Sequence, residues 1–180
     1  GHDGQVGLFC VGDGETYNVP VEMAETRYGI RVDEHSLHTD GAGAGEYRGG
    51  SGAVRVYRSM NENQTFTASF GRNKWPVWGA AGGKDGSVNY FQFIDADGTV
   101  SEPMGIAARR VMNTNDVVRM VTATGGGYGN PFKRPAEKVA MDVKNEYITV
   151  EQAKADYGVW VDPETFKVLG LTEESQKAEK

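Results

Sequence analysis

Apolar and polar positions alternate with a period of two along several short stretches of this chain, and a helical period appears only late. Val54 and Val56 share one side, with Arg58 following them, while Arg55 and Tyr57 take the other. Phe66, Ala68 and Phe70 likewise oppose Thr65, Thr67 and Ser69. With Gly29 to Asp33, Val88 to Ile94 and Val117 to Ala123, the segments Ala53 to Tyr57 and Thr65 to Phe70 read as strands. One apolar and one polar face is the pattern of half-buried antiparallel strands. Asp97-Gly98, between Phe93-Ile94 and Val100, predicts a hairpin with a type I′ turn, and Lys84-Asp85-Gly86 a further turn.

Helices are predicted after Pro135, whose fixed φ suits a first turn and whose missing N–H costs nothing there. Val139, Val143 and Tyr147 follow at i, i+4 and i+8. Thr149 with Gln152 forms a capping box, after which Val150, Ala153 and Tyr157 share a face until Gly158 ends the turn. Val159-Trp160-Val161-Asp162-Pro163 reads as a last strand closed by a turn. Thr172 to Lys180 has no apolar anchor and reads as a flexible polar tail. The expected architecture is one mainly β domain over residues 1–171, with antiparallel sheets, sandwich- or barrel-like, and two short C-terminal α-helices.

Composition narrows the function classes. Glycine supplies 25 of 180 residues without a Gly-X-Y period, so it marks turns and bulges in a β-rich domain. The net charge of -6 comes with scattered Lys and Arg, which argues against nucleic acid. No apolar run of about 18 residues and no basic-then-apolar leader is present, so neither a membrane span nor a signal peptide is read in the sequence shown. One cysteine, Cys10, permits no internal disulfide and, beside Phe9 and Val11, reads as a small apolar residue. The chain begins Gly1-His2-Asp3 without Met, which reads as an excised fragment or tag remnant, with a naturally split small subunit as the alternative.

Few residues point to chemistry. The glycine block from 41 to 52 invites a phosphate-cradle reading, but it leads into a strand rather than a helix N-terminus, and neither G-x-G-x-x-G nor a P-loop is matched. A turn or bulge with Arg48 held by a carboxylate, flanked by Gly49 and Gly50, fits better. Gly125, Gly126, Gly127, Tyr128 and Asn130 run from a strand toward the Pro135 helix and are candidates for ligand contact or an interface. His35 and His38 point to opposite faces if extended, so they do not chelate one ion. Asp95-x-Asp97-Gly98 lacks the remaining calcium-loop ligands. Trp75, Trp78 and Trp160 read as core or interface residues, with ring stacking as the other use. No catalytic and no metal-ligating residue is assigned.

Four blocks in order carry a family likeness. They are Pro20-Val21-Glu22 with Glu25, Tyr28 and Ile30; Asp40 to Gly52; Trp75 to Gly86; and Thr124-Gly125-Gly126-Gly127-Tyr128-Gly129-Asn130-Pro131 with the helical segments Ala136 to Val143 and Glu151 to Val159. Together they resemble the C-terminal region of the hydantoinase B/5-oxoprolinase family, which includes large subunits of acetone and acetophenone carboxylases. Val77-Trp78 stands where the family more often has Gly-Leu. The resemblance implies a C-terminal domain or split small subunit with a structural and subunit-contact role, inactive in isolation. It also implies an assembly that uses ATP to activate a cyclic amide or a ketone enol, followed by ring opening or carboxylation. ATP with Mg and a divalent metal, Zn or Mn, would then lie elsewhere in the assembly. The expected partners are the remainder of the hydantoinase B chain and a hydantoinase A-type subunit, with a homo-oligomer possible and a cytoplasmic location. The alternative is a free-standing β-rich binding module.

Overall fold

The computed structural model describes residues 1–5 and 19–178, so the reading of Cys10 with Phe9 and Val11 falls outside the described residues. The strands are Ile30–His38 (β1), Gly52–Ser59 (β2), Gln64–Ser69 (β3), Tyr90–Ile94 (β4), Ile106–Met112 (β5), Val117–Val121 (β6), Val159–Val161 (β7) and Val168–Leu171 (β8). The helices are Val21–Tyr28 (α1), Ala136–Lys144 (α2), Val150–Tyr157 (α3) and Glu173–Ala178 (α4). A 3-10 turn at Pro131–Lys133 precedes α2.

The fold is mainly β and antiparallel. One sheet has the order β1-β2-β6-β4, β3 pairs with β5, and β7 with β8; among the described residues the sheets do not close into a barrel. In the large sheet the register sets Tyr57 opposite Val118 and Phe93 opposite Val118 on the other side, so these residues share a face. The β3–β5 ribbon lies over it. Phe91, wholly buried, meets Phe66, Phe70 and Phe93 edge-on at centroid separations of 5.5 to 5.8 Å among the four rings, with Met112 and Val118 completing the cluster. The opposite face carries Val54, Val56, Val117 and Val121.

A second core lies in the C-terminal part, where Val139, Ala140 and Val143 of α2, Ala153 and Tyr157 of α3, and Val159 and Val161 of β7 pack together. The capping box at Thr149 forms with both of its hydrogen bonds, and Gly158 closes α3 at φ +68°.

Four elements go beyond or differ from the sequence reading. Residues 21–28, for which the sequence offered no helical period, form α1; only Ala24 is buried, so the helix has no apolar stripe to announce it. Strand β5 carries Arg109 and Arg110 in an exposed run, which masks its alternation. Residues 173–178, within the expected polar tail, form α4, whose Ser175 is buried with its hydroxyl donating to the Phe132 carbonyl at 3.4 Å. At Asp95 to Gly98 only Gly98 takes positive φ and its amide donates to Asp95, so the hairpin turns through a four-residue turn ending in a left-handed glycine, not a type I′ turn.

Candidate functional site: a glycine mesh and a buried arginine–aspartate cluster

Three glycine-rich segments far apart in sequence, 41–52, 79–86 and 125–129, meet backbone to backbone. The Gly43 amide donates to Gly125 O and the Gly125 amide to Gly50 O. Lys84 donates to Ala44 O, Gly127 to Lys84 O, Ala80 to Gly127 O and Gly129 to Ala80 O, all between 2.7 and 2.9 Å. Tyr47 and Tyr128 exchange a reciprocal pair at 3.0 Å. Absence of a side chain is what permits this. A Cβ on Gly49 would overlap the Gly125 carbonyl, one on Gly83 the Gly127 carbonyl, and one on Gly126 the Trp78 carbonyl.

The same bonds bear on anion binding. A phosphate cradle needs outward-facing N–H groups. Here the amides of Gly43, Gly49, Gly125, Gly127, Tyr128 and Gly129 all donate to protein carbonyls. Asn130 is occupied as well, since its side-chain oxygen caps the 3-10 turn by accepting from the Phe132 amide at 3.0 Å. The donor set fits a rigid scaffold better than a nucleotide site.

Arg48 projects from the mesh into a buried cluster that no local spacing reveals. Arg134 donates to Asp142 Oδ2 at 2.8 Å, and to both Asp3 oxygens at 2.6 and 2.9 Å. Arg48 Nε lies 3.4 Å from Asp142 Oδ2, its amide donates to Asp3 at 2.8 Å, and its guanidinium sits 4.5 Å from the Tyr147 ring centre. Two arginines and two aspartates leave the cluster neutral. Burial works against the Arg134 charge, but Asp3 and Asp142 hold its pKa above the usual guanidinium value. Burial would raise Asp3 too, yet Arg134 and the Arg48 amide keep it below the usual carboxylate range. Burial pushes Asp142 upward against the pull of Arg134 and Arg48, and pushes the Tyr157 phenol up to about 12. The cluster ties mesh to helices. Arg134, which in sequence had no stronger claim to burial than Lys133, is only 3% exposed. The available signal was Asp142 beside Val139 and Val143 on the buried face of α2, since a carboxylate there requires a buried cation.

The tryptophans are surface residues of this chain, not core: Trp75 is 79% and Trp78 70% exposed, with Arg72 stacked 5.0 Å from the Trp78 ring. Tyr128, exposed by 56%, is tied to the same loop through its bridge to Ala80. Trp160 is half-exposed under Lys154. His38 Nδ1 lies 2.8 Å from Thr122 O, whereas His35 pairs across the sheet with Arg55, on the other face. No three described His, Cys, Asp or Glu residues converge as a metal site requires. Among the described residues no helix is long and apolar enough to cross a membrane.

Residues 1–131 match the family model for hydantoinase B/oxoprolinase. The candidate B component of a D-/L-hydantoinase from Pseudomonas sp. strain NS671 is 32% identical over 148 residues, covering 81% of this chain and 25% of that protein. The ATP-dependent caprolactamase structure from Pseudomonas jessenii superposes with a TM-score of 0.68 at 29% identity, over 88% of this chain and 27% of that one. The nucleotide-free structure of acetone carboxylase gives 0.76 at 17% identity, over 98% and 28%, a likeness of fold. The chain therefore spans about a quarter of the length of these relatives.

Proposed function

The chain belongs to the hydantoinase B/oxoprolinase family, and on that premise we propose that it acts as the C-terminal part, or a split small subunit, of a hydantoinase B-type component within an ATP-dependent assembly. Such an assembly would open a cyclic amide or carboxylate a ketone, in the cytoplasm, with a hydantoinase A-type partner. ATP, Mg and a Zn or Mn ion would be held by other parts of it, a reading supported by the amides of Gly43, Gly49, Gly125, Gly127 and Gly129, which donate to protein carbonyls.

The observation that carries this reading is the display of Trp75, Trp78 and Tyr128 on loops pinned by the mesh. Large aromatic side chains held in place lose little entropy on docking and dominate interface energetics. Gly125, Gly126 and Gly127 hold that platform in shape. Arg48, with Gly49 and Gly50, fastens it to the helices.

Native purification through a C-terminal tag, read by intact mass, tests the proposal. The expected result is a much longer tagged chain or this chain in complex with large subunits, with Trp75→Ala plus Trp78→Ala lowering recovery of the partners at least about tenfold. Recovery of this chain alone, at its own mass, would leave the free-standing binding module as the reading.

A further inference from the structure

The Asp3 carboxylate is held in the buried cluster as a bound ligand would be. Arg134 presents two parallel donors to it, Nη1 to Oδ1 at 2.6 Å and Nη2 to Oδ2 at 2.9 Å. The Arg48 amide adds a third bond, to Oδ1 at 2.8 Å. A guanidinium fork joined by a backbone N–H recognises a carboxylate by charge and by planar shape together.

The donors are fixed by contacts in which Asp3 takes no part. Arg134, its side chain 2% exposed, also donates to the Glu46 carbonyl at 3.0 Å and to Asp142 at 2.8 Å, and its amide is fixed on the Pro131 carbonyl at 3.0 Å. Arg48 donates from Nη1 to the Gly49 carbonyl at 2.8 Å and covers the Tyr147 ring. The carboxylate, by contrast, reaches in from the surface. The Asp3 side chain is 29% exposed, and the adjoining Gly4 amide donates to the Arg48 carbonyl at 2.7 Å. With the Asp3 carboxylate withdrawn, Asp142 would face two arginines and the cluster would carry one buried positive charge. Such a charge is costly without an anion beside it.

We propose that Arg134 and the Arg48 amide form a carboxylate-binding site, which Asp3 fills in cis and which a small free carboxylate fills when the Asp3 carboxylate is withdrawn. The hold of the mesh on residues 1–5 is then a ligand contact, exchangeable with carboxylates in solution. The site stands apart from the assembly proposed above, since it uses the cluster and not the exposed tryptophans.

The test is hydrogen exchange and NMR shift of the Arg48 amide in the full chain and in its Asp3→Gly variant, in sodium formate and in sodium chloride of equal ionic strength. In chloride, Asp3→Gly should exchange this amide at least about tenfold faster than the unaltered chain, the range of a lost charge-assisted hydrogen bond. Formate should restore slow exchange saturably, and the unaltered chain should respond to neither salt. An amide that formate leaves fast, or that chloride protects as well as formate does, overturns the proposal. Asp3→Asn keeps the side-chain shape and serves should Asp3→Gly not fold: formate should shift its Arg48 amide saturably where chloride does not, and no such shift overturns the proposal equally.

Discussion

The two halves of this molecule are packed by opposite means. In the sheet, Phe66, Phe70, Phe91 and Phe93 interdigitate under the β3–β5 ribbon, and side chains fill the space between backbones. In the mesh, backbones touch directly and the space left for a side chain is nil. The first kind of contact degrades gradually when atoms are removed. The second fails when one is added.

That contrast fixes the order of expected effects. Gly49→Ala should be the most damaging, because the new Cβ overlaps the Gly125 carbonyl and both neighbouring strands of chain are held by backbone hydrogen bonds. Overpacking ordinarily costs about 1–3 kcal/mol through side-chain adjustment. Here no side chain can yield, and the loss should exceed the roughly 3–5 kcal/mol of a buried ring deletion. Denaturant unfolding measures it. Phe91→Ala comes next, at about 3–5 kcal/mol by the same measurement, with a cooperative transition retained.

Acid should then separate the two halves. Asp3 is held below the usual carboxylate range, so its contribution is fully present above about pH 4 and is lost as pH falls through its lower folded value. Asp142, raised by burial, runs in the opposite sense: its contribution is present below about pH 4 and is lost as pH rises through its folded value. Asp3→Asn should therefore flatten the fall in stability below about pH 4, as measured by urea midpoints across that range. An unchanged slope would mean that Asp3 does not secure the cluster. The smallest effect is reserved for Gly71→Ala, where nothing lies within 4 Å of the added methyl. A change within about 0.5 kcal/mol is expected, and a larger one would undercut the claim that close backbone approach, not glycine as such, matters.

The two packing modes also differ in how far the sequence reveals them. Alternation marks β2 and β3, and the Thr149–Gln152 pair marks the start of α3, because those signals are local. Strand β5 escapes because Arg109 and Arg110 face solvent where a core residue would have shown the period. The mesh is half visible: its glycines are conspicuous, but their partners lie up to 84 positions away, as between Gly43 and Gly127. The Asp3–Arg48–Arg134–Asp142 cluster is less visible still, since its members come from four separate segments and only Asp142 betrays itself by its place on a buried helix face. Exposed Trp75 and Trp78 mislead in isolation, because a large apolar side chain signals burial without saying against what.

Native-state hydrogen exchange of the mesh amides decides whether the glycine segments form a rigid platform. If the amides of Gly43, Ala80, Gly125, Gly127 and Gly129 are held by backbone carbonyls of the mesh as a rigid platform, they should exchange as slowly as those of the central strand β6. Exchange at the rate of an open loop would contradict the account, and would leave those N–H groups free to meet a ligand.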